Sequence, residues 1–226
     1  MPQKSYIYHV TLKELTILLA DWSDYLAVPV AALSLVTIQR NSYFKILSTY
    51  LFFLAPLTVA TAITADYQIA NYYLYHIIGL VELVFTFLLY RSLGLRKSWD
   101  AVFGIVLTAY LADSIYLLVN GREEMNSIGL SCCMLFMIVL GFNFIWKLYQ
   151  EEKVEYLGFY PYFYISGGLT VFASGAFFGY LLIARMSDEI IPAENFYYSW
   201  LIISGFTYIK FILIVLGIFV ERKYAK

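Results

Sequence analysis

Four ionisable residues interrupt stretches of the sequence that are otherwise apolar, and they are His76, Glu82, Asp113 and Lys210. A charged side chain at the centre of a membrane costs about 2.5–3.5 kcal/mol on insertion scales, so such residues usually face the interior of a helix bundle and find partners. A lysine, two carboxylates and an imidazole can form an ion pair, hold a polar ligand or pass a proton. These four residues are therefore the first candidates for chemistry.

Lys210 lies in the segment "FTYIKFILIVLGIF". It is about ten residues from the end of its apolar stretch, or roughly 15 Å at helical rise, which is beyond the reach of its own side chain. The lysine therefore needs an acidic partner inside the bundle. Glu82 lies at nearly the same depth in a segment that runs in the same direction. The sequence predicts a buried Glu82–Lys210 pair.

The residues around this pair follow helical spacing. Trp200, Ser204 and Thr207 lead to Lys210 along one face, and Tyr75 shares the face of Glu82. His76 lies about 120° from Glu82 around the helix, and Asp113 should lie near the depth of His76, so we expect both to flank the pair. The predicted ligand-binding or proton-relay residues are His76, Glu82, Asp113, Lys210, Tyr75, Trp200, Ser204 and Thr207.

Two interpretations of this group remain open. A buried ion pair can simply fix the register of two helices. A binding or proton-handling site is the alternative, because Asp113 stays unbalanced once Glu82 and Lys210 neutralise each other, unless it is protonated or His76 is charged. An acid–base enzyme is a weaker alternative. No catalytic residue and no metal site are predicted, since the chain has 2 histidines and lacks the patterns of known hydrolase sites.

The composition indicates what kind of protein structure positions these residues. Of the 226 residues, 62% are hydrophobic and 14% are charged. A soluble domain of this length cannot bury so much apolar surface, so the surroundings of most of the chain must be lipid. The net charge of −1 argues against a nucleic-acid partner. Cys132 and Cys133 are adjacent and provide no disulfide framework.

The predicted fold is an all-α membrane protein, a single domain with seven transmembrane helices. Helices are expected because the apolar segments lack the alternation of membrane strands. The spacing of Thr11 and Glu14 in "TLKE" is typical of a capping box and predicts a short interfacial helix before the first span. The predicted spans are approximately 23–39, 43–65, 69–91, 99–119, 126–148, 160–185 and 196–220.

The basic residues outside the spans indicate the orientation. Of the 15 lysines and arginines, four lie on the side of the N-terminus, ten lie on the other side, and Lys210 lies within a span. The cytoplasmic side of a membrane protein carries the excess of basic residues. The sequence therefore predicts an external N-terminus, a cytoplasmic C-terminus and a location in the plasma (inner) membrane.

The sixth span contains Gly175 and Gly179 in a GxxxG spacing. Small residues at this spacing let two helices approach closely. We expect the two glycines to pack against another helix of the same chain, with a homodimer contact as the alternative.

The arrangement of seven helices, an external N-terminus, a lysine in the last span and an acid in the third resembles the microbial rhodopsins. That resemblance implies retinal bound to Lys210 as a Schiff base, with Glu82 as the counterion. The chain departs from the family in the third span, "YHIIGLVELVF", which lacks the family's Arg-Tyr-x-Asp-Trp type of motif. It also has Phe206 four residues before the lysine, and the sixth span lacks the tryptophans that enclose retinal.

Over its whole length the chain also resembles uncharacterised seven-helix integral membrane proteins of bacteria, through "YHIIGLVEL" and "SGGLTVFASGAFF". This second resemblance implies a fold and a membrane location but no activity. Our leading hypothesis is a receptor or membrane subunit that binds a small or lipid-like ligand in the outward half of the bundle. The alternatives are a proton-coupled transporter and a retinal protein.

Overall fold

The computed structural model describes residues 12–121, 125–151, 157–186 and 194–224, and all regular structure in these ranges is helical. This confirms the all-α class. The elements are α1 (Leu12–Tyr25), α2 (Ala27–Ser34), α3 (Ser42–Asp66), α4 (Tyr72–Ser92), α5 (Ser98–Val119), α6 (Ser127–Glu151), a 3-10 turn (Leu157–Phe159), α7 (Pro161–Met186) and α8 (Glu194–Tyr224).

Helices α3 to α8 account for six segments that are long and apolar enough to cross a membrane. They match the second to seventh predicted spans to within a few residues, because each apolar run is bounded by polar or turn-forming residues. The described part of the chain is thus that of a multi-pass membrane protein. We name the end where α3, α5 and α7 begin the inner end, and the opposite end the outer end.

The first predicted span, 23–39, is not a single long helix. Helix α1 ends at Tyr25, α2 covers Ala27–Ser34, and turns follow at 35–40. Pro29 explains the break, because it has no N–H to bond the Tyr25 carbonyl and its ring collides with that carbonyl. Neither helix is among the six long apolar ones, so the predicted count of seven remains a prediction.

The α1–α2 segment runs antiparallel to α3. Near the outer half, the Thr58 hydroxyl donates to the Asp24 carbonyl at 2.8 Å. Near the inner end, the Ser48 hydroxyl donates to the Ser34 carbonyl at 3.0 Å. Helix α1 also contacts α8, where the Tyr208 hydroxyl donates to the Leu19 carbonyl at 3.2 Å.

Helix α1 begins at Leu12, where the capping pattern predicted a helix, although Thr11 itself lies outside the described residues.

The glycines of α7 allow α8 to pack closely against α7. A side chain at Gly175 would collide with the ring of Phe206, and one at Gly179 would collide with Ile203. A Cβ at Gly168 would lie 3.0 Å from the Lys210 carbonyl oxygen. Gly175 and Gly179 therefore pack within the chain, and α8 already covers the face that a homodimer contact would use.

Helix α5 lies at the edge of the bundle. Its side chains are the least buried of the six long helices, with Ile105 71% and Val119 78% exposed. These apolar residues are where lipid would contact the protein.

The predicted orientation depends partly on Lys4, Arg122 and Lys153, which lie outside the described residues, so it stays a prediction.

Candidate functional site

The buried ion pair is present as predicted. The Lys210 Nζ donates to Glu82 Oε1 at 2.8 Å, and both side chains are 3% exposed. Helices α4 and α8 bring the two residues to the same level of the bundle, as equal depth along parallel segments requires. The charge of the lysine is thus neutralised deep inside the protein, where an isolated charge would be costly.

Tyr50 of α3 is a third member of this group, and sequence reasoning missed it. Its hydroxyl donates to Glu82 Oε2 at 2.7 Å and accepts from the Lys210 Nζ at 3.4 Å. Both carboxylate oxygens of Glu82 therefore accept a hydrogen bond. Bonds to an ionised group are about twice as strong as neutral ones. Three helices are thus joined through one carboxylate.

Aromatic rings complete the surroundings of the lysine. The Lys210 Nζ lies 3.9 Å from the ring centroid of Phe172 and 5.0 Å from that of Phe211. A ring face attracts a cation most strongly when both are shielded from water. The α7 glycine that faces the Lys210 backbone, Gly168, allows the close approach of α7 to α8 that makes this contact. The local sequence thus positions the ammonium group between an acid and a ring.

A cavity of about 460 Å³ extends from the outer end of the bundle to the ion pair. Residues from α1, α3, α4, α7 and α8 line it, and most of its exposed lining is apolar. Such a volume falls in the range of small-ligand sites. Of the predicted site residues, the cavity brings together Tyr75, Glu82, Trp200, Ser204, Thr207 and Lys210.

The cavity also has polar residues that were not predicted, and they are Ser23, Asp24, Thr58, Thr61, Asp66, Asn71 and Tyr180. The threonines continue to Thr64 at a spacing of three, which is a polar stripe visible in "PLTVATAIT". This stripe was the signal that could have identified α3 as a wall of the cavity. Asp66 is exposed at the end of α3, so the mouth carries acidic charge beyond the neutral ion pair.

His76 and Asp113 do not line this cavity, which corrects the expectation that they flank the ion pair. The His76 Nδ1 lies 3.2 Å from the Ser114 Oγ, and the Asn126 Nδ2 donates to that oxygen at 3.0 Å. We call His76, Ser114 and Asn126 the His76 cluster. It joins α4 to α5 and α6, whereas the ion pair joins α4 to α3 and α8. Asp113 is half-buried on α5.

The reason for this separation is the rotation of α4. Gly79 faces α5 and α6, where an added side chain would collide with Tyr110 and Leu130. The Tyr110 hydroxyl fits against the bare backbone and donates to the His76 carbonyl at 2.8 Å. The glycine thus admits a tyrosine of the same chain rather than a ligand beside Glu82. Depth along the sequence was estimated correctly, but the faces of the helix were not.

Comparisons with protein-family models, with curated proteins and with solved structures find no match for this chain. The arguments for a function therefore come from the site itself. Within the described residues there is no group of three or more His, Cys, Asp or Glu side chains that could hold a metal ion.

The residues fit retinal only in part. A lysine and an acidic counterion are in contact on a cavity wall, as a Schiff base would require. Trp200 is the single tryptophan among the described lining residues, however, and it lies toward the outer end rather than beside the lysine. The Phe172 ring occupies the position next to the ammonium group.

Proposed function

We propose that this chain is a membrane protein that binds a small or lipid-like ligand in its outer cavity, as a receptor or as the membrane subunit of a larger system. The observation that carries the proposal is that the cavity reaches the Glu82–Lys210 pair, so that a bound molecule would contact both charges. A site that was only a structural clip would have no need of an opening above it.

The lining defines the class of ligand. Leu54, Ile78 and Phe172 offer apolar surface. Ser204 and Thr207 provide polar groups along the wall that extends to the ion pair. An amphipathic molecule satisfies both surfaces, with its polar group beside the pair and its apolar part against the rings. Because the pair is neutral overall, the polar group needs hydrogen-bonding capacity more than net charge.

We propose seven crossings, with the kinked α1–α2 segment as the first. The support for this is its antiparallel contact with α3 at both Asp24 and Ser34. From residue 12 to residue 34 a kinked helix would extend roughly 33 Å at helical rise, which is close to the thickness of a bilayer core. The excess of basic residues at the inner end favours a cytoplasmic C-terminus in a plasma membrane.

Native mass spectrometry of the full chain, extracted in a mild detergent, tests ligand binding. We expect the wild-type protein to retain a small molecule or a lipid. The substitution Ser204→Phe fills the cavity from a buried position and should remove that retained mass. The matched control is Ala112→Phe on the exposed side of α5, which should retain it. No retained mass in the wild type, or equal retention in both variants, would contradict the proposal.

A proton-coupled transporter is the second candidate. The hydrogen-bonded group of Tyr50, Glu82 and Lys210 favours it, because one carboxylate contacts both a donor hydroxyl and an ammonium group. Solute-dependent proton flux in liposomes, lost in Glu82→Gln, would support this function. Retinal binding through Lys210 is tested most simply of all, by a visible absorption band that forms with retinal and is lost in Lys210→Ala.

A further inference from the structure

The inner half of the bundle contains buried hydroxyl groups that make no hydrogen bond of good geometry to the described part of the chain, starting next to the ion pair. Thr86 lies one helical turn from Glu82 toward the inner end of α4 and is 0% exposed. Its hydroxyl has no hydrogen-bond partner among the described residues. A threonine in a helix can bond the carbonyl of the preceding turn. Thr86 does not make that bond, so its hydroxyl is directed elsewhere.

Two further hydroxyls share this property, and a third is weakly bonded. Tyr43 and Ser166 are 3% and 1% exposed, and neither hydroxyl makes a hydrogen bond of good geometry to a described residue, although the two side chains lie near each other. The Tyr90 hydroxyl lies 3.4 Å from the Thr170 Oγ1 and 3.5 Å from the Ser166 carbonyl, so both of its bonds are long. We call Tyr43, Thr86, Tyr90 and Ser166 the inner hydroxyl cluster.

Water best explains this cluster. A buried hydroxyl without a partner costs about 1–3 kcal/mol, so three of them in one region would be a heavy loss for a marginally stable fold. Native proteins usually satisfy such groups, and where protein partners are lacking, ordered water supplies the bonds. The groups come from α3, α4 and α7, so water molecules would lie between these helices.

The cluster connects the ion pair with the inner surface. At one end, Thr86 and Glu82 are neighbours on successive turns of α4. At the other end, the ring of Tyr43 packs against Tyr162, with centroids 4.7 Å apart. The Tyr162 hydroxyl accepts from the side chain of Asn41, an exposed residue at the inner end of α3. Hydroxyl groups thus extend from Glu82 to the aqueous side.

We propose that the inner hydroxyl cluster holds ordered water and forms a proton path between Glu82 and the inner end of the bundle. The outer cavity gives the same carboxylate access to the other side, so protons can cross the protein through Glu82. This inference goes beyond ligand binding and does not depend on a bound ligand. It depends on the outer cavity only for the exit of the proton.

In the proposed path Glu82 gains and then releases one proton for each proton that crosses the protein. A proton that arrives from the inner end binds the carboxylate and breaks its ion pair with Lys210, whose ammonium group keeps its contacts with Tyr50 and the Phe172 ring. Release of the proton into the cavity restores the carboxylate and the pair. Among the described residues, the titratable and charged groups that face Glu82 are Tyr50 of α3, Lys210 of α8 and Tyr180 of α7, with Asp24 of α1 beyond Tyr180.

Proton flux into liposomes tests the path. The full chain is reconstituted around the internal pH dye pyranine, a potassium diffusion potential is imposed with valinomycin, and the initial rate of acidification is measured. We expect the wild-type protein to exceed empty liposomes. Thr86→Val and Tyr43→Phe keep the shape but remove one hydroxyl each, and should slow the flux roughly tenfold because they interrupt a chain of hydrogen-bonded oxygens.

Matched controls are available at positions that are not buried. Thr49→Val removes a threonine hydroxyl that bonds its own helix, and Tyr149→Phe removes one from a side chain that is 77% exposed. Both controls should conduct like the wild type. Because each hydroxyl would bond only ordered water, and its removal leaves no charged group unpaired, Thr86→Val and Tyr43→Phe should unfold within a few degrees of the wild-type temperature.

Either of two results would overturn the path. One is a wild-type flux no greater than that of empty liposomes, and the other is a Thr86→Val flux equal to the wild-type flux. Ligand retention by the same variants separates this outcome from failure of the proposed function. The path variants should keep the retained ligand, which Ser204→Phe loses without any change in the inner hydroxyl cluster.

Discussion

Helix α4 carries two buried polar groups on different faces, and they differ in what surrounds them. Glu82 is 2% exposed and His76 is 6% exposed, so burial does not distinguish them. Glu82 borders a cavity and belongs to an ion pair. His76 belongs to a hydrogen-bonded cluster that Tyr110 closes by packing against Gly79. The same helix thus has an open, charged side and a closed side.

This comparison separates two uses of a polar side chain in a membrane. In the His76 cluster, the His76 Nδ1 contacts the Ser114 hydroxyl of α5, which also accepts from Asn126 at the start of α6, and these bonds fix how α4 rotates. The ion pair holds α3, α4 and α8 together but leaves space above it. We infer that the closed side sets the geometry and the open side binds the ligand.

Breaking the ion pair should have the largest effect on stability. Glu82→Gln or Lys210→Met removes one charge and leaves the other buried without its partner, which costs about 3–5 kcal/mol. The double variant removes both charges and should recover most of that loss. Replacing a whole buried ion pair by uncharged residues of similar size is often neutral for stability, because no charge is left unpaired. Unfolding of the purified protein in detergent measures the three variants. Additive losses in the double variant would contradict the coupling of the two residues.

Loss of the Tyr50 hydroxyl should have an intermediate effect. Tyr50→Phe removes a donor to an ionised carboxylate, and we expect a loss of about 1.5–3 kcal/mol in the free energy of unfolding. Tyr149→Phe on the exposed end of α6 is the control and should change stability by less than about 0.5 kcal/mol. Equal stability of the two variants would show that Tyr50 does not hold Glu82.

Removing Ser114 from the closed side should have the smallest effect. Ser114→Ala takes away a neutral hydroxyl that bonds His76 and Asn126, and we expect a loss of about 1 kcal/mol. Retention of a ligand, measured by native mass spectrometry, should be the same as in the wild type. Loss of the ligand in this variant would mean that the His76 cluster contributes to binding, and the division between the two sides would be wrong.

The sequence predicted the ion pair because two strong constraints coincide there. A lysine deep in an apolar segment needs an acid, and depth along helical rise identified Glu82. Tyr50 could not be chosen in the same way, since the chain has 22 tyrosines and nothing in the sequence shows which of them face inward. That depends on the rotation of α3, which packing with α2 and α4 determines.

The misplaced residues have equally physical explanations. Depth, with an offset of about 120° around α4 for His76, placed His76 and Asp113 near the pair, but Gly79 turns that face of α4 toward Tyr110. The first span was predicted as one helix because its composition is mostly apolar, while Pro29 breaks it at Tyr25. Hydropathy indicates which segments lie within the membrane, but it contains little information on how a helix is rotated about its axis or where it is interrupted.

Chemical accessibility of matched cysteines tests the central claim most directly. Ser204 and Ser114 are buried to nearly the same degree, at 2% and 5% exposure, but Ser204 lines the cavity and Ser114 lies in the His76 cluster. Each is changed to cysteine in a background with Cys132→Ser and Cys133→Ala. A membrane-impermeant methanethiosulfonate is then added from the side predicted to be external.

We expect Ser204→Cys to react roughly tenfold faster or more than Ser114→Cys, because the rate of thiol modification follows access to solvent. The reaction should also be slower when the reagent is added from the cytoplasmic side of inverted vesicles. Equal rates at the two positions, or no reaction at Ser204→Cys from either side, would contradict an open cavity above the ion pair.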